Sequence, residues 1–222
     1  MFNQILTDIT LDGFACRLYA GNPAAPVFLL GSGAGENEYE AITELPMEFS
    51  LFVYGAEDWD YAFSPWEADV TGRHFASCGT ETLDFLTKTA MPFMKEKLPG
   101  AKDFFPVGYS LAGLFSLWAA YESDAFAGAA SCSGSLWYPG WDEYASARQI
   151  KASGSRIYIS LGGKEKNSPD PVMSTIEDKT KLQAKRLQQD KHVASSVLEM
   201  NSGGHFANPP GRLAKAVKWL IG

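Results

Sequence analysis

The sequence predicts an α/β fold class, with a mostly parallel central sheet and helices on both faces. Short apolar runs bounded by glycine or proline recur along it: PVFLLG, FSLFVYG, FFPVGYS, AGAASCSG, RIYISLGG and ASSVLEM. Strands buried on both faces read in this way. Stretches of helical spacing lie between most of these runs, which is the alternation of a parallel sheet with crossover helices. The 222 residues, 45% of them hydrophobic, supply one core of ordinary size. No repeat, low-complexity tract or linker interrupts them, so one domain over residues 1–222 is expected.

Taken in order, residues 4–10 and 15–20 alternate in polarity on either side of LDG, the pattern of an N-terminal antiparallel hairpin. Residues 80–98 form the clearest helix, with Leu83, Phe85, Leu86, Met91 and Met94 at helical spacing. Pro92 inside it predicts a kink or an early stop, because proline lacks the N–H the ladder needs. Residues 111–121 are apolar nearly all round, as a central buried helix would be. Residues 178–189 are rich in Lys, Arg and Gln, with Leu182 and Leu187 expected on the buried side and the basic residues on a solvated face. The last helix, 209–221, carries Leu213, Val217 and Leu220 on one stripe. Asn208 is placed to cap it, and proline suits its first turn.

The formal charge of −7 argues against nucleic acid or an anionic membrane as the main partner. Cys16, Cys78 and Cys132 are odd in number and widely spaced, fitting neither a disulfide framework nor a zinc pattern. They read as reduced, buried residues. The opening MFNQILTDITLDG has no basic segment followed by an apolar core, and no apolar run reaches the roughly 18 residues of a membrane span. A cytoplasmic protein without membrane partner, metal or cofactor is the expectation.

One stretch carries chemistry. In FFPVGYSLAGLFSLW an apolar run enters a Gly-Tyr-Ser-Leu-Ala-Gly corner and leaves as a helix. A nucleophile on such a corner needs small residues two before and two after it, since larger side chains would strike neighbouring backbone. Gly108 and Ala112 flank Ser110 in this way, with alanine where the usual G-x-S-x-G spelling has its second glycine.

A serine nucleophile needs a base, an orienting carboxylate and oxyanion donors. Of the three histidines, His205 in NSGGHFANPP follows the last strand and precedes the closing helix. Loops at the carboxyl ends of parallel strands converge on one site. His74 and His192 read as ordinary surface histidines, and no histidine has a partner at metal-ligand spacing. The acid should lie between serine and histidine in the chain. Glu165, close behind RIYISLGG, is the first candidate and Asp170 the second. The backbone N–H of Leu111 is one expected oxyanion donor, where the helix dipole also favours negative charge. The other should come from residues 32–34 in VFLLGSGAGENEY, with Gly33 at the centre. That loop does not match a dinucleotide motif, because Glu36 stands where the third glycine is needed.

The segments GYSLAGLFSLWAAY, ASCSGSLWYPGW, YISLGGKE, GGHFANPPGRLAKAVKWL and DWDYAFSPW occur in family order from about Pro26 to the end. Together they resemble the α/β-hydrolase fold, and within it the esterases that include enterochelin (siderophore) esterases. The resemblance implies Ser110 as nucleophile, His205 as base and Glu165 as acid. The resemblance implies an extra N-terminal domain in the longer siderophore esterases and a signal peptide in periplasmic relatives; this sequence is expected to start directly with the catalytic domain.

Two loops are crowded with aromatics: Trp59, Tyr61, Phe63 and Trp66 in one, and Trp137, Tyr138 and Trp141 in the other. Trp59, Trp66, Trp137 and Tyr138 are candidates for a substrate wall that would favour an apolar or planar ester. The alternative is that these rings brace the loops against each other. The segment between SCSGS and RIYIS is too short for a large lid domain. The expected activity is a serine carboxylic-ester hydrolase acting through an acyl-enzyme on a small or aromatic ester. An acyltransferase with the same residues, or a non-catalytic binding protein of this fold, are the alternatives.

Overall fold

Asp12 and Gly13 both take left-handed backbone, with φ of 45° and 86°. A two-residue turn of this hand matches the twist of the strands it joins. It connects β1 (Gln4–Leu11) to β2 (Phe14–Ala20) in antiparallel register, Leu11 opposite Phe14 and Ile9 opposite Cys16. The expected N-terminal hairpin is therefore present. The computed structural model describes residues 2–33 and 39–222.

The chain continues through β3 (Val27–Gly33), α1 (Glu40–Thr43), β4 (Ser50–Ala56) and α2 (Trp59–Phe63). A small hairpin follows, β5 (Ala68–Val70) with β6 (Arg73–Phe75). Three-residue strands are too short to leave a period in the sequence, and this hairpin was not anticipated. Next come α3 (Gly79–Asp84), a π-helical stretch (Phe85–Ala90) and α4 (Met91–Lys97). These run on as one helix past Pro92. The ladder widens just before the proline instead of stopping, which accommodates the missing N–H. The remaining elements are β7 (Phe104–Tyr109), α5 (Ser110–Glu122), β8 (Gly128–Cys132), α6 (Trp141–Ser146) and β9 (Ser155–Gly162). They are followed by α7 (Ile176–Gln189), β10 (Val193–Asn201) and α8 (Pro209–Ile221).

Eight strands form one sheet in the order β1-β2-β4-β3-β7-β8-β9-β10. The pairings from β4 through β10 are parallel, and β2 alone runs against them, pairing antiparallel with both β1 and β4. Alternate residues of each strand face opposite layers. Val27 and Leu29 of β3 join one core with Leu114, Phe115 and Trp118 of α5. Phe28 and Leu30 join the other with Ile42 of α1 and Leu213, Val217 and Leu220 of α8. Burying a side chain of this size is worth roughly 1.5–3 kcal/mol, so these two layers hold the strand ends in place.

The serine-bearing helix α5 is buried without interruption from Leu111 to Tyr121. Its position is set by packing on every side, which gives Ser110 a rigid base. Helix α7 departs from expectation. Its buried stripe is Ile176, Thr180, Gln183 and Leu187, while Leu182 is 41% exposed. Gln183 takes the inner position because its amide has partners there: it donates to the Tyr121 hydroxyl at 2.8 Å and accepts from Trp141 Nε1 at 3.2 Å. Between β8 and β9 the only helix is the six-residue α6, so that segment holds no lid domain among the described residues. Among the described residues no helix is long and apolar enough to cross a membrane.

Candidate active site

Ser110 opens α5 with φ of 55°, a left-handed conformation that costs a non-glycine residue roughly 1–2 kcal/mol. Such strain persists only where the surroundings enforce it. Here they do. A Cβ at Gly108 would lie 2.2 Å from the Ala112 carbonyl oxygen, so the strand end and the helix start touch through bare backbone. A Cβ at Gly113 would press within 3.2 Å of Gly108, Gly134 and Cys132, so Gly113 lets α5 lie against the turn after β8. The Ser135 N–H donates to the Ser110 carbonyl at 3.0 Å and ties that turn to the corner.

His205 lies in the loop between β10 and α8, which bends through Gly203 at φ 84°. Its Nε2 is 3.1 Å from Ser110 Oγ, and its Nδ1 is 2.8 Å from Glu165 Oε2. Glu165 stands in a one-turn helix (Glu165–Asn167) just behind β9, and its side chain is buried. Asp170 is used locally instead, accepting from the Val172 and Met173 N–H groups at 2.8 and 3.0 Å. The other histidines are engaged elsewhere, His74 with Asp69 at 2.9 Å on the small hairpin and His192 with the Ile150 carbonyl.

The second carboxylate oxygen of Glu165 is fully occupied. It accepts from Ser133 Oγ at 2.8 Å, the Gly162 N–H at 2.7 Å and Arg212 Nη1 at 3.1 Å. Burial pushes this carboxyl up, but the bonds from His205, the Gly162 N–H and Ser133 outweigh it and hold it below the usual glutamate range. Tyr109, the residue before Ser110, donates from its hydroxyl to the His205 carbonyl. Burial pushes that phenol up to about 12, so it remains a neutral donor.

Ser133, Tyr109 and Arg212 were not singled out in the sequence. For Arg212 a signal existed: it lies four residues before Ala216 and one before Leu213 on the buried stripe of α8, where an arginine needs partners. Nothing comparable marked Ser133 or Tyr109.

Ser110, His205 and Glu165 open on a cavity of about 440 Å³. Its walls include Trp59, Phe75, Trp137, Met173 and Ile176, with Phe206 at the rim, 89% exposed. Asp60, Arg73 and Lys164 add charge, and Arg73 is paired with Asp60. Of the four aromatic candidates, Trp59 and Trp137 line this space. Trp66 and Tyr138 do not; they lock the two loops together. The Tyr138 hydroxyl donates to the Trp66 carbonyl at 2.7 Å, and Trp66 Nε1 donates to the Pro139 carbonyl at 2.8 Å. Leu111 also lines the cavity. Gly33 ends β3 and is not part of the described lining, and Ala34 lies outside the described residues. Among the described residues no cluster of His, Cys, Asp and Glu could hold a metal ion, and the three cysteines are buried thiols.

A mostly parallel eight-stranded sheet with a serine on a strained strand-to-helix corner is the α/β-hydrolase fold. Residues 35–219 match the family described as "Putative esterase", and the chain belongs to that family. It is 25% identical over 174 residues to the uncharacterized protein YbbA of Bacillus subtilis (strain 168), covering 72% of this chain and 68% of that protein. Among solved structures it is similar to the siderophore hydrolase EstA of Aspergillus nidulans, with a TM-score of 0.78 at 13% identity over 98% of this chain and 93% of that one. An IroE-like serine hydrolase from Shewanella oneidensis gives 0.78 at 15% identity, over 98% and 79%. The enterobactin esterase FES of Shigella flexneri gives 0.66 at 17% identity, over 93% of this chain and 55% of that longer one. At these identities the structural likeness speaks for the fold.

Proposed function

We propose that this chain is a serine carboxylic-ester hydrolase working through an acyl-enzyme. Ser110 is the nucleophile, His205 the general base and Glu165 the residue that holds the imidazole. Membership of the esterase family supports ester hydrolysis as the general activity. The observation that carries the finer reading is the unbroken chain from Ser110 Oγ to His205 Nε2 at 3.1 Å and from Nδ1 to Glu165 at 2.8 Å, the geometry in which a weak alcohol becomes a nucleophile.

In this reading His205 takes the Ser110 proton as the oxygen adds to the ester carbonyl. The tetrahedral oxyanion is met by the Leu111 N–H at the start of α5, with Gly33 as the second donor. Collapse expels the alcohol, which leaves with the proton from His205. A water then gives its proton to His205 and its oxygen to the acyl carbon, releasing the acid and restoring Ser110.

The cavity supports a small or aromatic ester: Trp59, Phe75, Trp137 and Phe206 offer flat apolar contact, and about 440 Å³ is room for a compact substrate. The substrates named for the fungal and Shigella enzymes contribute one candidate class, siderophore esters. A panel of nitrophenyl and aromatic esters, with Ser110→Ala as control, tests the reading. Hydrolysis should fall by several orders of magnitude in the variant, and a fluorophosphonate probe should label Ser110 in the wild-type protein. Wild-type turnover by Ser110→Ala would end this account. A product panel with added alcohols separates hydrolysis from acyl transfer.

A further inference from the structure

Four consecutive parallel strands, β7 to β10, deliver residues to the site, and one side chain from α8 touches the end of each. Arg212 Nη1 donates to the hydroxyl of Tyr109, the last residue of β7, at 2.9 Å. It also donates to Ser133 Oγ, directly after β8, at 2.7 Å, and to Glu165 Oε1, behind β9, at 3.1 Å. Arg212 Nη2 donates to the carbonyls of Ser202 and Gly204, after β10, at 3.1 and 2.9 Å. The guanidinium is 2% exposed. Its Nε has no hydrogen-bond partner among the described residues, a cost that an apolar side chain filling the same space would not carry.

We propose that Arg212 is the positioning residue of this site, fixing the Glu165 carboxylate and the His205 loop relative to each other. It occupies Glu165 Oε1, which leaves Oε2 to face the imidazole. The same group holds the backbone on the N-terminal side of His205 through Ser202 and Gly204. Tyr109 closes the circuit, accepting from Arg212 and donating to the His205 carbonyl. The planar fork matters as well as the charge, because a lysine ammonium cannot reach the carboxylate and both carbonyls in one fixed geometry. This role rests on the Ser110–His205–Glu165 reading, since Arg212 acts only through those groups.

The test compares Arg212→Met and Arg212→Lys by kcat, KM and Tm on a nitrophenyl ester. Displacement of the imidazole by the order of 1 Å costs about 100-fold. Arg212→Met should therefore lose about that factor in kcat with KM changed less than about threefold, and Arg212→Lys should lose less. On a His205→Ala background, Arg212→Met should cost almost nothing more, because the group it positions is gone. Should Arg212→Met not fold, the folded Arg212→Lys variant decides: a kcat drop of about tenfold at steady KM supports the role, and wild-type kcat overturns it. An equal further loss on the His205→Ala background marks a general structural effect and also overturns it. If Ser110→Ala is inactive while folded Arg212→Met turns over normally, the positioning role fails and the hydrolase reading stands. If Ser110→Ala is fully active, the hydrolase reading itself fails.

Discussion

Replacing Gly108 by alanine probes the contact that makes the corner possible. The added methyl carbon would lie 2.3 Å from the Ala112 carbonyl carbon, 2.2 Å from its oxygen and 2.8 Å from the Gly113 nitrogen. All three are backbone atoms of α5, so no side chain can swing aside. Comfortable carbon–carbon separation begins at about 3.5 Å, and β7 must therefore part from the first turn of α5 by about 1.2 Å. That is enough to break the 3.1 Å contact between Ser110 and His205. Misplacement on this scale costs about 100-fold in turnover. Overpacking of a tight core costs about 1–3 kcal/mol, with Tm falling by about 2–4 °C per kcal/mol for a chain of this length. Thermal unfolding together with kcat/KM on a nitrophenyl ester reads both effects. A Gly108→Ala protein with kcat/KM within threefold of wild type and an unchanged Tm would refute the steric argument.

The two kinds of aromatic residue should separate cleanly. Phe206→Ala removes a ring that is 89% exposed, so Tm should hold within about 1 °C while KM for aromatic esters rises severalfold. Trp66→Ala removes the brace between the loops and should cost about 3 kcal/mol in chemical denaturation, with ester preference little altered. The opposite pattern would exchange their roles. Acid stability tests Glu165. Its carboxyl lies below the ordinary value of about 4.3 in the folded state, so its ionised form stabilises the fold above that value. The contribution is lost as pH falls through the lowered folded value. Unfolding free energy should therefore drop more steeply as pH falls below about 5 in the wild type than in Glu165→Gln. Parallel pH dependences would show that the carboxylate is not held as described.

Much of the architecture is local chemistry and could be read without coordinates. The LDG turn, the apolar runs and the helical spacings each reflect a rule acting over a few residues, and they become β1 and β2, the parallel strands and helices such as α8. Where a local rule met a tertiary demand, the reading slipped. Leu182 was expected inside on apolarity, yet Gln183 is buried because Tyr121 and Trp141 offer partners that no window of α7 contains. Pro92 predicted a kink or an early stop; the helix does not stop there but widens into a π turn and continues.

The site divides in the same way. Gly108, Ser110 and Ala112 announce the corner through a steric requirement confined to five neighbouring positions, and the order Ser110, Glu165, His205 is visible along the chain. Whether Glu165 or Asp170 faces the imidazole depends on how one loop turns after β9, and the folded chain puts Glu165 there while Asp170 caps its own turn. The sorting of Trp59 and Trp137 into the cavity wall, and of Trp66 and Tyr138 into the brace behind it, also needed the fold. So did the gathering of Tyr109, Ser133, Glu165, Ser202 and Gly204 around Arg212. Sequence alone sets which residues can turn, cap or pair with near neighbours, because those forces act over a few bonds. Contacts between residues as far apart as Tyr109 and Arg212 arise only when strands align side by side, and that alignment is a property of the whole sheet.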